Sequence, residues 1–264
     1  MNLRVYRFKI FRGFTAFIIV SIVLGLFSCG KSDDIIDDKK PPEEIKEESE
    51  LFYKLTRVNN LPGSQANNFQ TAAPNIYYSL ESNKALGQEH LQTRNWDIAF
   101  GGLVNSFISG NNGKDPQNHG YGNTAEGGIL LVEKEFDQVV DIPDDKEFQT
   151  RKDRYGTDNY GMFGEGIGWY LYDFNGDLLR DGSHQFQHVV YPMNQPWKLN
   201  NGRTSPPRTA VIRTAKGNYA KLRILSLYKD RLDSTGWRRD APKVYITFDY
   251  VLLPKNSKKF EIKK

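Results

Sequence analysis

From about residue 51 onward the chain alternates between apolar and polar positions with the period of β-strands. In Val244-Tyr245-Ile246-Thr247-Phe248-Asp249-Tyr250-Val251-Leu252, positions 244, 246, 248, 250 and 252 are apolar or aromatic, while 247 and 249 are polar. That pattern predicts a strand with one buried face. Lys221 and Arg223 alternate in the same way with Ala220, Leu222 and Ile224. Further strand-like runs cover 51–58, 76–80, 96–100, 129–132, 168–174 and 209–214. Clusters of Gly, Asn, Asp and Pro between them are of the kind that form turns.

The runs 209–214 and 219–227 flank Ala215-Lys216-Gly217-Asn218, a short connection whose glycine suits a positive-φ position, so these two are expected to form a hairpin. A sustained helical stripe is not found. The expected fold is all-β, mostly antiparallel twisted sheets in a sandwich-like single domain, with long loops around 59–75, 110–127, 144–166 and 175–207. Loops of that length inside a compact domain are more often functional than idle.

The N-terminal region follows different rules. Residues 1–28 carry Arg4, Arg7, Lys9 and Arg12 and no acid, and then run apolar from Phe14 to Phe27, which is the pattern of a signal peptide. The run Leu26-Phe27-Ser28-Cys29 resembles the bacterial lipobox, in which cleavage precedes a cysteine that is then acylated. Residues 29–50 form the expected tether: Gly30 to Glu50 holds four lysines against nine acids and little that is apolar, too little to bury a core. The acids just after Cys29 resemble the export signal of surface lipoproteins. Residues 51–264 make up the expected domain.

Charge changes meaning once the leader is set apart. The chain's formal net charge of +4 equals the leader's own, so the remainder is neutral and gives no electrostatic support for nucleic-acid binding. A single cysteine excludes an intrachain disulfide, a Cys-rich zinc site and an iron–sulfur cluster. His184 and His188 share an H-x-x-x-H spacing, but Gln185 to Val189 alternates like a strand, which separates the imidazoles too far for one metal. The turn Asp173-Phe174-Asn175-Gly176-Asp177 lacks the closing glutamate of a calcium loop and reads as a hairpin turn. No G-x-S-x-G elbow and no phosphate-binding glycine loop is present, so binding and not catalysis is expected.

Several ordered blocks carry a family resemblance: Asn95-Trp96-Asp97-Ile98-Ala99-Phe100, Gly168-Trp169-Tyr170, Arg208-Thr209-Ala210-Val211-Ile212-Arg213-Thr214 with Gly217-Asn218-Tyr219-Ala220-Lys221-Leu222, and Thr247-Phe248-Asp249-Tyr250. Together, and behind a lipoprotein leader, they resemble the HmuY family of haem-binding surface lipoproteins. The resemblance implies an all-β fold shaped like a hand that grips haem between loops at one end. It also implies an outer-membrane lipid anchor, capture of haem, and transfer to a TonB-dependent outer-membrane receptor. In the founding type both axial ligands are histidines, and some relatives use methionines. One ligand precedes the Gly-Trp strand and the other follows it. The position in this chain that matches the second histidine is Phe174, and 143–167 holds no histidine, so the two-histidine clamp does not carry over.

Candidate replacements follow from chemistry, because haem iron accepts imidazole nitrogen or thioether sulfur. Met162, in Tyr160-Gly161-Met162-Phe163-Gly164, is the candidate before the Trp169 strand. After it stand Met193, His188 and His184. Met162 with Met193 ranks first and Met162 with His188 second, and His119 and His184 follow as further candidates. Each carries an ordinary alternative: a methionine that fills a gap in the core, or a histidine satisfied at a strand edge. A thioether pair should bind ferrous haem more tightly than ferric and show no loss of binding near pH 6.

A second functional class remains open, a surface glycan-binding or adhesion-type lipoprotein without haem. Four tryptophans, 14 tyrosines and 16 phenylalanines could supply a stacking platform. Trp197 and Trp237, outside the strand-like runs, are the ones expected to be exposed.

Overall fold

The computed structural model describes residues 50–63 and 73–263. The signal peptide, Cys29 and nearly all of the tether lie outside the described residues. Among the described residues thirteen strands follow in order: β1 (Leu55–Pro62), β2 (Ile76–Ser79), β3 (Lys84–Leu86), β4 (Ile98–Gly101), β5 (Phe107–Gly110), β6 (Gly128–Val132), β7 (Tyr170–Asp173), β8 (Val189–Pro192), β9 (Trp197–Lys198), β10 (Thr204–Ser205), β11 (Thr209–Arg213), β12 (Tyr219–Tyr228) and β13 (Lys243–Leu253). The helical segments among the described residues are single 3₁₀ turns. The expected all-β, antiparallel fold is therefore observed.

A five-stranded sheet runs β1-β13-β12-β11-β6, and a four-stranded sheet runs β3-β2-β4-β5. The expected β11–β12 hairpin forms, with Ala210 opposite Leu222 and Arg213 opposite Tyr219, and Gly217 has φ +85° in its turn. Alternation decides which side chains meet between the sheets. Ala220, Leu222 and Ile224 of β12 and Ile246, Phe248, Tyr250 and Leu252 of β13 enter one buried cluster with Tyr78, Ile98, Phe100 and Ile108 of the four-stranded sheet. The Phe248 ring meets Tyr78 edge-on at 5.4 Å and lies 6.4 Å from Phe100, so the two sheets close a sandwich.

The five-stranded sheet is buried on its other face too, contrary to the one-sided burial expected from the alternation. Residues 136–148 and the C-terminal Phe260 cover Val211, Val251 and Leu253. Polar residues on that face survive burial because each is paired. Asp249 is fully buried and accepts Arg57 Nε at 2.7 Å and Arg223 Nη2 at 3.0 Å. The Lys221 ammonium donates to the carbonyls of Phe136 and Val139 and lies 4.5 Å above the Phe136 ring.

A third element positions the functional region. Strands β7 and β8 pair as a ribbon, with Tyr172 opposite Val190. One side of this ribbon packs on a second cluster that contains Tyr191, Trp197 and Trp237. Trp237 stacks on Tyr228 of the five-stranded sheet at 5.6 Å and 15°, which ties the ribbon to the sandwich.

Candidate functional site

Between this ribbon and the end of the sandwich lies a cleft of about 860 Å³, within the roughly 300–1,000 Å³ typical of small-molecule sites. Segments distant in sequence build it. Trp169, Tyr170, Tyr172 and Val190 come from the ribbon and the residue before it; Leu103 and Val104 come from the turn between β4 and β5. Phe163 comes from the loop before β7, and residues 239–244 supply the last wall.

The mouth of the cleft is apolar. Leu103, Phe163 and, beside Phe163, Met162 and Phe174 are all large exposed apolar residues. Phe163 contacts Phe174 edge-on at 5.1 Å and Tyr172 at 6.0 Å. Exposed apolar side chains gathered at one cavity mark a binding site. Backbone strain marks the same place: Val104 has φ +48° and His188 φ +58°. For a β-branched residue this conformation is costly, and such strain gathers at functional sites.

His188 lines the cleft. Its Nδ1 is engaged by the Tyr172 hydroxyl at 2.8 Å, and its ring rests edge-on against Phe174 at 4.7 Å. No partner engages Nε2 among the described residues. Partial removal from water, and then the charges of Arg239, Lys243 and His184, lower its pKa from the usual 6.5. A neutral imidazole with one nitrogen anchored is the form that ligates metal.

The loop carrying Met162 is fixed at both ends by one buried carboxylate. Asp158 Oδ1 accepts the Tyr160 N–H at 3.1 Å, while Oδ2 accepts the Gly168 N–H at 3.1 Å and Arg208 Nη2 at 2.8 Å. Glycine is required where the loop folds on itself, since a Cβ at Gly164 would stand 1.7 Å from the Asp158 carbonyl oxygen. Met162 is 45% exposed and, unlike its neighbour Phe163, is not among the residues lining the cleft; its N–H donates to the Tyr172 carbonyl at 3.0 Å.

Met162 meets Tyr172 through the backbone and His188 meets it through its imidazole, whereas Met193 is enclosed in the packed aromatic cluster. Met193 is 1% exposed in the cluster of Tyr191, Trp197 and Trp237 and is not among the residues lining the cleft. His119 lies by the four-stranded sheet, within 3.3 Å of Asn75 and edge-on to Tyr77. His184 is exposed in a 3₁₀ turn, His184–Phe186, which takes up the start of the strand expected over 185–189. Phe186, in the same turn, lies within 5.6 and 4.5 Å of the guanidinium groups of Arg180 and Arg238.

The expected exposure of Trp197 and Trp237 is corrected as well. They are 8% and 2% exposed, and Trp96 and Trp169 are also buried, so no tryptophan offers a sugar-stacking platform. Sequence reasoning missed Leu103, Val104, Tyr172, Arg239 and Lys243. The available signals were an apolar pair inside a glycine- and asparagine-bounded turn and a cationic run beside Trp237.

The fold and cleft define a β-sandwich protein with an aromatic-mouthed ligand site and a candidate metal-ligating histidine. The chain belongs to the HmuY family: the family model described as HmuY protein matches residues 72–250. Among solved structures, it is similar to the apo HmuY analog of Tannerella forsythia, with 15% identity over 76% of this chain and 98% of that one and a TM-score of 0.33. It is also similar to a Bacteroides vulgatus chain described as HmuY-like and heme binding, with 14% identity over 75% and 91% and a TM-score of 0.32. A third is a Bacteroides fragilis chain named as a lipoprotein, with 16% identity over 75% and 87% and a TM-score of 0.27. No curated protein sequence matches the chain.

Proposed function

We propose that the cleft binds haem as cargo, with the His188 imidazole as one axial ligand and the Met162 thioether as the other. The observation that carries this reading is the cleft itself, in which an anchored neutral imidazole stands among aromatic and aliphatic walls in a member of the HmuY family. The donor set suits haem iron, which takes nitrogen and sulfur ligands. The wall suits a flat apolar ring. Met162 and His188 replace the first-ranked pair of Met162 and Met193, because Met193 is enclosed by packed aromatic residues.

In this reading the chain is a binding protein and not an enzyme. Cys29, acylated after cleavage of residues 1–28, anchors the 51–264 domain to the outer membrane on the acidic tether of 29–50. Several acyl chains on one cysteine meet the need for more than one anchoring element. The exposed mouth leaves the cargo accessible for transfer to a TonB-dependent receptor. The alternative of a glycan-binding surface module is disfavoured by the burial of all four tryptophans.

The test is an absorbance titration of the purified protein with haemin, oxidised and reduced. A sharp Soret band saturating at one haem per chain is the expected result. A featureless rise that an unrelated control protein reproduces would refute haem binding.

A further inference from the structure

One wall of the cleft is cationic, and its charges form no ion pair among the described residues. Arg239 donates Nη1 to Gln187 Oε1 at 2.9 Å, and Lys243 donates Nζ to the Arg239 carbonyl at 2.7 Å. Neither forms an ion pair among the described residues, although both line the cleft and both are partly buried. An ammonium has three donors and a guanidinium five, so most of their hydrogen-bonding capacity is uncommitted. Among the described residues that line the cleft Asp240 is the one acid, and it forms no ion pair with either cation. Burial, followed by the charge of Arg239, pushes the Lys243 pKa down, while Asp240 opposes this more weakly. Partly desolvated cations left unpaired next to each other are unfavourable, and an incoming anion relieves the cost.

The rest of the lining is largely aromatic and aliphatic, with Phe163, Tyr172, Leu103 and Val104 among it. A ligand that satisfies both kinds of lining is a flat apolar body with carboxylates on one edge. We propose that Arg239 and Lys243 form a carboxylate clamp that selects porphyrins with free acid side chains and fixes which edge enters the cleft. The identity of the ring rests on the haem reading above. The clamp itself does not depend on iron, because it acts on the periphery of the ring.

That independence supplies the test. The purified full-length protein is titrated with metal-free protoporphyrin IX and with its dimethyl ester, followed by porphyrin and tryptophan fluorescence, with haemin titrated in parallel by absorbance. The wild-type protein should bind the free acid about tenfold to a hundredfold more tightly than the ester, the range expected for charge-assisted hydrogen bonds. Arg239→Gln combined with Lys243→Gln should abolish that preference. Equal affinity of the wild-type protein for acid and ester would overturn the clamp and leave haem binding standing. So would haemin binding without protoporphyrin IX binding, since iron coordination would then be the only attachment. Failure of both porphyrins and of haemin would refute the haem reading and the clamp together. The wild-type comparison decides the matter even if the double variant does not fold.

Discussion

Truncating Arg208 should destabilise the fold by about 3 kcal/mol, whereas truncating Glu133, which contacts the same guanidinium, should cost less than about 1 kcal/mol. The difference comes from burial. Arg208 and Asp158 are 3% and 1% exposed and meet at 2.8 Å, while Glu133 is 53% exposed and approaches Arg208 at 3.1 Å. Arg208→Ala strands a buried carboxylate, for which the usual cost is about 3–5 kcal/mol. The Tyr160 and Gly168 N–H groups still donate to Asp158, which places the estimate at the low end. Glu133→Ala removes only a solvent-screened partner. Urea unfolding followed by circular dichroism measures both, and the Asp158→Ala/Arg208→Ala double-mutant cycle should show a coupling of about 1–3 kcal/mol. A cost below about 1 kcal/mol for Arg208→Ala, or equal costs for Arg208→Ala and Glu133→Ala, would refute the reasoning. Because Asp158 holds both ends of the loop bearing Met162 and Phe163, Arg208→Ala should also weaken haem binding.

Three further outcomes are expected. Trp237→Ala should cost about 3–5 kcal/mol in the same unfolding assay, because it empties the centre of the cluster that seats the β7–β8 ribbon. With His188 held neutral by a lowered pKa, haem affinity should stay level on acidification to about pH 6.5 and decline only below it; loss beginning well above that pH would count against imidazole ligation. The same depression makes the unfolded chain the better proton binder, so the contribution of His188 to stability is complete above 6.5 and is lost as pH falls below it towards the folded-state pKa. Cys29→Ser should release the protein from the membrane fraction, as read by fractionation and immunoblotting, and retention of a processed Cys29→Ser form would exclude lipid anchoring there.

The strands were most legible where alternation was long and uninterrupted. β13 and the β11–β12 hairpin were evident because many consecutive positions obey the period of two. The pattern places β1 early: 59 and 60 fall in the expected 59–75 loop, yet the chain accommodates them in a register shift between Val58 and Leu61, with the Asn60 N–H donating to Thr247. β3, β9 and β10 span only two or three residues, too few for a period to show. The second buried face of the five-stranded sheet was hidden because Asp249 and Lys221 look solvent-facing by type, and only the partners at Arg57, Arg223, Phe136 and Val139 make their burial tolerable. At the proposed site, scarcity singles out His188 and Met162 as candidates. Met193 could not be told from a rim methionine, since enclosure of a thioether by Tyr191 and Trp197 leaves no local pattern. The cleft joins residues from 103 to 244, so Arg239 and Lys243 gain meaning only once the ribbon and the sandwich are packed.

The central claim is that haem sits in this cleft with His188 and Met162 on its iron, and haem titrations of His188→Ala, Met162→Ala and Met193→Leu, each in both oxidation states, test it most directly. His188→Ala and Met162→Ala should each weaken binding and change the Soret spectrum, with the Met162→Ala loss larger for ferrous haem because thioether favours the reduced iron. Met193→Leu, a near-isosteric change in a packed core, should leave the spectrum as in the wild-type protein. A wild-type spectrum and affinity in His188→Ala, or their loss in Met193→Leu with folding intact, would contradict the account.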